Sequence, residues 1–311
     1  MTAGPESFQL IDLEHLGQRE SVAAYLLETR DGPVVVDPGP ASTLPRLRAA
    51  LAAQGREIAD LAALLLTHIH LDHAGASGTL ARENPRLRVY VHSAGAPHLV
   101  DPSKLLASAT RLYGARMEEL WGEVAPVPAG RVSALAGGER ITPGGRLVEV
   151  AYTPGHAWHH VSYFEPISGT AFVGDTAGLR TPGMPCVLPV TPPPEFDLTA
   201  WLASLDRILA WKPARLALTH FGPSDAPEAH LGELRKGLVE WAGYAKDTLA
   251  LEAPDEERVR AFVASLERWI DGRVPGERAR RFLGSAGPEA CWNGLARYWR
   301  KTQEHNDAKT R

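Results

Sequence analysis

The sequence predicts a layered α/β fold with a helical addition at its C-terminal end. Three observations carry that expectation. Short apolar, β-branched runs alternate with helix-spaced segments through the first hundred residues, strand-like runs return from residue 146, and beyond about residue 226 only helical periodicity remains.

"GPVVVDPGP" (32–40) reads as a strand stopped by Pro-Gly. "ASTLPRLRAALAAQG" then has helical spacing and a terminal glycine, and "LAALLLTH" returns to extended structure. A further helix-like segment leads to a strand in "RLRVYVH" (86–92). Residues 98–135 break this rhythm: Leu105, Leu112, Tyr113, Met117, Leu120 and Trp121 give a helical stripe, read as a lid-like insertion between two ligand-bearing segments. Strands resume in "RLVEVAYTPGH" (146–156), "VSYFEP" and "TAFVGDTAG", the last two spaced as a hairpin. "FDLTAWLASLDRILAWKP" is a one-faced helix, and "ARLALTHFGP" is a strand ending at His220.

The chain is therefore divided into a catalytic domain, residues 1–225, and a helical extension, 226–311. In the extension, Val259, Phe262, Val263, Leu266 and Ile270 form one stripe and Trp292, Leu295 and Trp299 another. Such stripes need a partner surface, which the α/β core or a homodimer through the helical segments would supply. The tail "RKTQEHNDAKTR" is expected to fray.

Composition narrows the function. Apolar residues make up 44% and charged residues 23% of 311, an ordinary globular balance. Thirty-three basic against thirty-seven acidic residues leave a net charge of −4 with no dense basic block, which argues against nucleic-acid binding. No uninterrupted apolar stretch of membrane-spanning length and no signal-like leader occur, so a cytoplasmic protein acting on a small molecule is expected. Cys186 and Cys291 are too few for a disulfide framework and read as ordinary thiols.

The chemistry concentrates where strands end. "LLLTHIHLDHAG" (64–75) places His68, His70, Asp72 and His73 on the loop after an apolar run. "TPGH" delivers His156, "VGD" delivers Asp175 and "LTH" delivers His220. Ends of several strands converge on one edge in α/β structures, so these distant groups can share a small volume. Imidazole and carboxylate suit zinc, and also iron or manganese. Seven such groups exceed the four of one tetrahedral zinc. The economical reading is two divalent ions about 3.5–4 Å apart, sharing a bridging carboxylate and a bridging water.

"HIHLDH" with His156, Asp175 and His220 at long intervals resembles the signature of the metallo-β-lactamase superfamily, and "VVVDPG" resembles its opening aspartate motif. The resemblance covers roughly residues 8–223. It implies a four-layer αββα sandwich with the C-terminal helices added. It also implies that His68, His70 and His156 hold one metal, that Asp72, His73 and His220 hold the other, and that Asp175 bridges them. Asp37 would orient a ligand histidine or the loop by hydrogen bonds, although alone it also reads as a turn residue before Pro-Gly.

Asp175 and the terminal His220 are similar to the glyoxalase II and lactonase-like branches, whereas β-lactamases of this type generally lack the bridging aspartate. His70 stands where diiron flavoproteins usually carry Glu, and the 44 residues between Asp175 and His220 leave no room for the large domain inserted in β-CASP nucleases. The expected activity is hydrolysis of an ester, thioester or lactone by a metal-bridging hydroxide, with Asp72 or Asp175 receiving the proton. Alternatives are a mononuclear iron persulfide dioxygenase, a phosphodiesterase or nuclease of the same fold, and a metal-stabilised interaction scaffold. Around the centre, Tyr113, Trp121, Trp158 and Arg180 are candidates to shape a substrate pocket, with Arg180 or Lys104 as an anion clamp. His159 or His160 could face the metals, while His92, His98 and His230 read as ordinary polar residues.

Overall fold

The computed structural model describes residues 8–274 and 276–309, whose strands form two six-stranded sheets. The first runs in the order β1 (Phe8–Asp12), β2 (Ala23–Leu27), β3 (Val34–Val36), β4 (Ala63–Leu65), β5 (Arg88–His92), β6 (Val132–Leu135). The second runs in the spatial order β12 (Gly222–Ser224), β11 (Arg215–Leu218), β10 (Thr170–Phe172), β9 (Val161–Glu165), β8 (Val148–Tyr152), β7 (Arg140–Ile141). Helices α1 (Leu44–Ala52), α2 (Leu71–Ala74) and α3 (Ser77–Glu83) serve the first half. Next come α4 (Ala96–Val100), α5 (Ser103–Tyr113), α6 (Met117–Trp121) and α7 (Leu198–Ala210). The chain ends in α8 (Pro227–Leu249), α9 (Asp255–Asp271), α10 (Glu277–Ser285) and α11 (Pro288–Lys309).

The central strands β2, β3 and β4 are apolar at every position because both faces are covered, and alternate residues serve different layers. In β2, β3 and β4, Leu26, Val35 and Leu64 point to the core under α1 and α3. Their neighbours Tyr25, Val34, Val36, Ala63 and Leu65 point to the other sheet, where they meet Val150, Val161, Tyr163 and Phe172. Across the second sheet, Ala171, Leu216 and Leu218 face Trp201, Leu238, Trp241, Phe262 and Trp292 of the helices. This makes the αββα order. It also supplies the partner surface that the C-terminal stripes require: Phe262, Leu266, Ile270, Trp292 and Leu295 are buried in one core with α7, α8 and the second sheet.

Three sequence expectations change. Residues 98–135 are not helical throughout, since the chain is irregular after α6 and Val132–Leu135 pairs in parallel with β5 as the edge strand β6. The helical stripe ends at Trp121, and of the later apolar residues Val132, Ala134 and Leu135 belong to a sheet. The C-terminal tail expected to fray is helical to Lys309, with Tyr298 and Trp299 packed against the helical core and Arg300 paired with Asp255, and its residues 310–311 lie outside the described residues. Strands β1 and β2 lie in a region left unassigned by pattern. No described helix is long and apolar enough to cross a membrane.

Candidate metal centre

The two sheets meet at the edge where strand ends release their loops. Val161 N donates to Thr67 O at 2.8 Å and Ala23 N to Thr219 O at 2.9 Å, tying each sheet to a loop of the other. His68, His70, Asp72 and His73 leave β4, His156 follows β8, Asp175 follows β10, and His220 follows β11. Gly174, at φ +46°, lets the chain turn there: a Cβ would lie 2.5 Å from Thr67 Oγ1 and 2.7 Å from His160 Nε2.

All seven residues that the sequence singles out converge, in two groups whose ligand atoms lie within 4.8 Å of one another. In the first, His70 Nδ1 is 2.9 Å from His68 Nε2 and 3.0 Å from His156 Nε2, and His156 Nε2 is 3.3 Å from Asp175 Oδ2. In the second, His220 Nε2 and His73 Nε2 stand 3.1 and 3.7 Å from Asp72 Oδ2. Asp175 Oδ1 faces this second group, 3.1 Å from His73 Nε2 and 3.6 Å from His220 Nε2. Each carboxylate oxygen of Asp175 thus addresses a different group.

The outer ring nitrogens are held by the protein. His73 Nδ1 donates to Asp37 Oδ2 at 2.8 Å, His156 Nδ1 to Val190 O at 2.8 Å, and His220 Nδ1 to Ser21 O at 2.8 Å. Those bonds fix the tautomer that leaves Nε2 bare toward the centre. Asp37, fully buried, also accepts from Thr67 N, Thr67 Oγ1 and Thr219 Oγ1 at 2.8, 2.7 and 2.9 Å. It is both the left-handed turn residue, φ 47°, and the orienting carboxylate.

Burial disfavours charge on His68 and pushes His70 down to about 3, keeping these imidazoles neutral and able to donate a lone pair. Burial also opposes charge on His73, but Asp175, Asp72 and Asp37 outweigh it and raise this residue. Burial opposes ionisation of Asp72 and Asp175, yet His73 and His220 hold both below the usual carboxylate range. The cluster therefore draws positive charge inward. His73 Nε2 and Asp175 Oδ1 are buried with no hydrogen-bond partner, which an ion between the facing donors would satisfy. The nitrogen and oxygen donor set fits divalent metal ions.

A cavity of about 1020 Å³ opens over the centre. Tyr113, Trp121, Trp158, His159, Arg180 and Lys104 all line it. His159 stacks on His68 at 5.9 Å, and its Nε2 lies 3.5 Å from Glu195 Oε2. His160 stacks on His68 at 5.0 Å but does not line the cavity, its Nδ1 lying 3.0 Å from Thr153 Oγ1. His98, read as an ordinary polar residue, also lines the cavity, whereas His230 is buried and donates through Nε2 to Ala177 O at 2.8 Å. Cys186 packs in the helical core. Sequence reasoning missed the contribution of α10: Arg278, Arg281 and Phe282 form a wall. The three arginines Arg278, Arg280 and Arg281 before Phe282 are the one hint of it in the sequence.

A family model described as the metallo-beta-lactamase superfamily matches residues 17–220. A metallo-beta-lactamase fold-containing protein, ST1585, of Sulfurisphaera tokodaii is 32% identical over 162 residues, 51% of this chain and 60% of its own. The crystal structure described as ST1585 from Sulfolobus tokodaii superposes with a TM-score of 0.62 at 24% identity, covering 93% of this chain and 98% of that one. A hydroxyacylglutathione hydrolase of Aeromonas hydrophila is 28% identical over 218 residues, 69% of this chain and 70% of its own. The structure of TTHA1623 in a di-iron-bound form matches with a TM-score of 0.50 at 31% identity, covering 67% of this chain and 95% of that one. The chain thus spans 60% of the length of the first of the two curated relatives and 70% of the second.

Proposed function

Because this chain belongs to the metallo-β-lactamase superfamily, we propose that it is a hydrolase of an ester, thioester or lactone that works with two divalent metal ions. The carrying observation is the divided carboxylate of Asp175, with Oδ2 toward His156 and Oδ1 toward His73. His68, His70 and His156 would hold one ion, Asp72, His73 and His220 the other, with Asp175 between them. When bound, such a pair supplies Lewis acidity, lowering the pKa of water toward neutrality and stabilising negative charge on a carbonyl oxygen.

The chain's own residues do the rest. Asp37, Ser21 O and Val190 O lock three imidazoles with Nε2 inward. Asp72, with 24% of its side chain exposed against 4% for Asp175, is the carboxylate that substrate can reach, and it receives the proton released by the attacking water. Tyr113, Trp121 and Trp158 flank the acyl group from the cavity wall, and His159 is held beside the centre by Glu195.

The hydroxyacylglutathione hydrolase named among the relatives supports a thioester substrate. Zinc suits the donors, and the di-iron form of TTHA1623 supports iron as the alternative. A one-metal oxygenase would leave Asp72, His73 and His220 without a task. Two buried cysteines, neither in a disulfide, suit a reducing cytoplasm. The reading is tested by metal analysis of protein purified without added metal, followed by thioester, lactone and phosphodiester reporters with wild type and His70→Ala. We expect about two metal equivalents and acyl hydrolysis that His70→Ala abolishes. Full activity in the variant, or phosphodiester cleavage alone, overturns it.

A further inference from the structure

The cavity is large for a small hydroxyacyl group. At about 1020 Å³ it stands at the upper end of pockets that enclose drug-sized molecules, roughly 300–1,000 Å³. Its walls are of two kinds. Leu105, Ala109, Leu112 and Tyr113 recur along one face of α5 and line the cavity, as do Met184 and Phe282. Leu112, Tyr113 and Trp158 are also among the large apolar side chains most open to solvent, at 69%, 41% and 45%. Three such residues around one opening mark a surface built to cover apolar matter.

The second kind of wall is cationic. Arg19, Lys104, Arg180, Arg278 and Arg281 line the cavity, against two carboxylates outside the metal cluster, Glu20 and Glu195. Glu195 is engaged by Trp158 N at 2.9 Å. Arg278 and Arg281 stand three residues apart on one side of α10. Arg278 Nη2 donates to Pro182 O at 3.0 Å and Arg180 Nη1 to Pro223 O at 2.5 Å, which places each guanidinium while using one of its five N–H donors.

We propose that the substrate is an amphiphile: an acyl group with a sizeable apolar chain or ring, packed between α5 and Phe282, joined to an anionic leaving group held by Arg180, Arg278 and Arg281. This rests on the hydrolase reading. Water oxygen bonds to the acyl carbon and the carbon–sulfur or carbon–oxygen bond breaks. The electron pair departs with the leaving atom, which takes up a proton, giving a carboxylic acid and a thiol or alcohol. The guanidinia hold the anion away from the reacting carbon, so they act on binding more than on the chemical step.

The test uses the full, metal-loaded chain and acetyl and octanoyl thioesters of three carriers: coenzyme A for phosphate, glutathione for carboxylate, and neutral N-acetylcysteamine. Octanoyl should exceed acetyl in kcat/KM by about 100-fold, the order that burying several methylenes gives. Exposed Leu112→Asp should cut that preference. Arg278→Ala with Arg281→Ala should raise KM about 10-fold for the anionic carrier it serves, with kcat held and the neutral thioester unchanged. The carrier that responds identifies phosphate or carboxylate. Binding of the non-hydrolysable octyl thioether of each carrier is measured by calorimetry. Arginine-dependent binding without turnover of any thioester or of the corresponding octanoyl esters and lactones sustains the cavity assignment and sinks the hydrolase reading. Equal acetyl and octanoyl rates, equal loss on charged and neutral carriers, or no thioether binding overturns the assignment while leaving the hydrolase reading intact.

Discussion

Asp37 Oδ2 accepts a 2.8 Å hydrogen bond from His73 Nδ1, and the same oxygen also takes the hydroxyls of Thr67 and Thr219, so one buried carboxylate ties the segments after β4 and β11 to its own. An amide in its place would turn an N–H toward some of these donors. Asp37→Asn is expected to weaken metal binding about 10- to 100-fold. Competition with a chelator of known affinity measures this, and unchanged affinity would remove Asp37 from the design of the centre.

Asp175 has a different job, since its two oxygens face different donor groups. Asp175→Ala should reduce the metal content toward one equivalent and lower acyl hydrolysis by about 10²-fold or more. Elemental analysis after dialysis, paired with steady-state rates, decides it. Two tightly held ions in this variant would contradict the bridge.

His230 predicts an acid-sensitive contact away from the ligands. Burial pushes it down to about 4 in the folded chain, against about 6.5 for a free histidine, so the unfolded chain binds the extra proton first. Its contribution is complete above about pH 6.5 and is lost as pH falls toward the folded value. His230→Gln should therefore lose less Tm than wild type between pH 7 and pH 4.5. Parallel acid melting curves would count against it.

Gly174→Ala should be costly although it adds a single methyl. The new Cβ would meet Thr67 Oγ1 at 2.5 Å, and the residue would sit at φ +46°. A loss of about 2 kcal/mol or more in urea unfolding of the metal-free protein is expected. A change within 0.5 kcal/mol, roughly a surface value, would show that the loop relaxes freely.

Trp292 joins the last helix to the second sheet's core and is 1% exposed, with Nε1 donating to Thr248 Oγ1 at 2.8 Å. Trp292→Ala should cost about 3–5 kcal/mol while unfolding stays a single transition seen by fluorescence and far-UV dichroism. Two separated transitions would mean that the helical extension folds apart from the sheets.

The ligand cluster was legible because its signal is chemical. His68, His70, Asp72 and His73 are crowded into one turn, and His156, Asp175 and His220 each close an apolar run, so strand-end convergence brings them together without any knowledge of the loops between. The layered core was legible for a related reason: β3 and β4 are short and wholly apolar, and β11 is apolar after Arg215. Edge elements were not. Val132–Leu135 carries only partial burial and follows a helical stripe, so periodicity could not separate β6 from the insertion. The wall made by Arg278, Arg281 and Phe282 was hidden because it depends on how α10 docks, which no local pattern in "GERARRFLGS" specifies.

The order of parts along the chain carries a consequence of its own. Every donor of the centre has been synthesised by His220, whereas α10, which shapes the cavity, follows only at Glu277–Ser285. A nascent chain halted before α10 would bear the whole ligand set beside a mouth still missing the wall of Arg278, Arg281 and Phe282, so the cationic side of the cavity is among the last parts of this protein to be made.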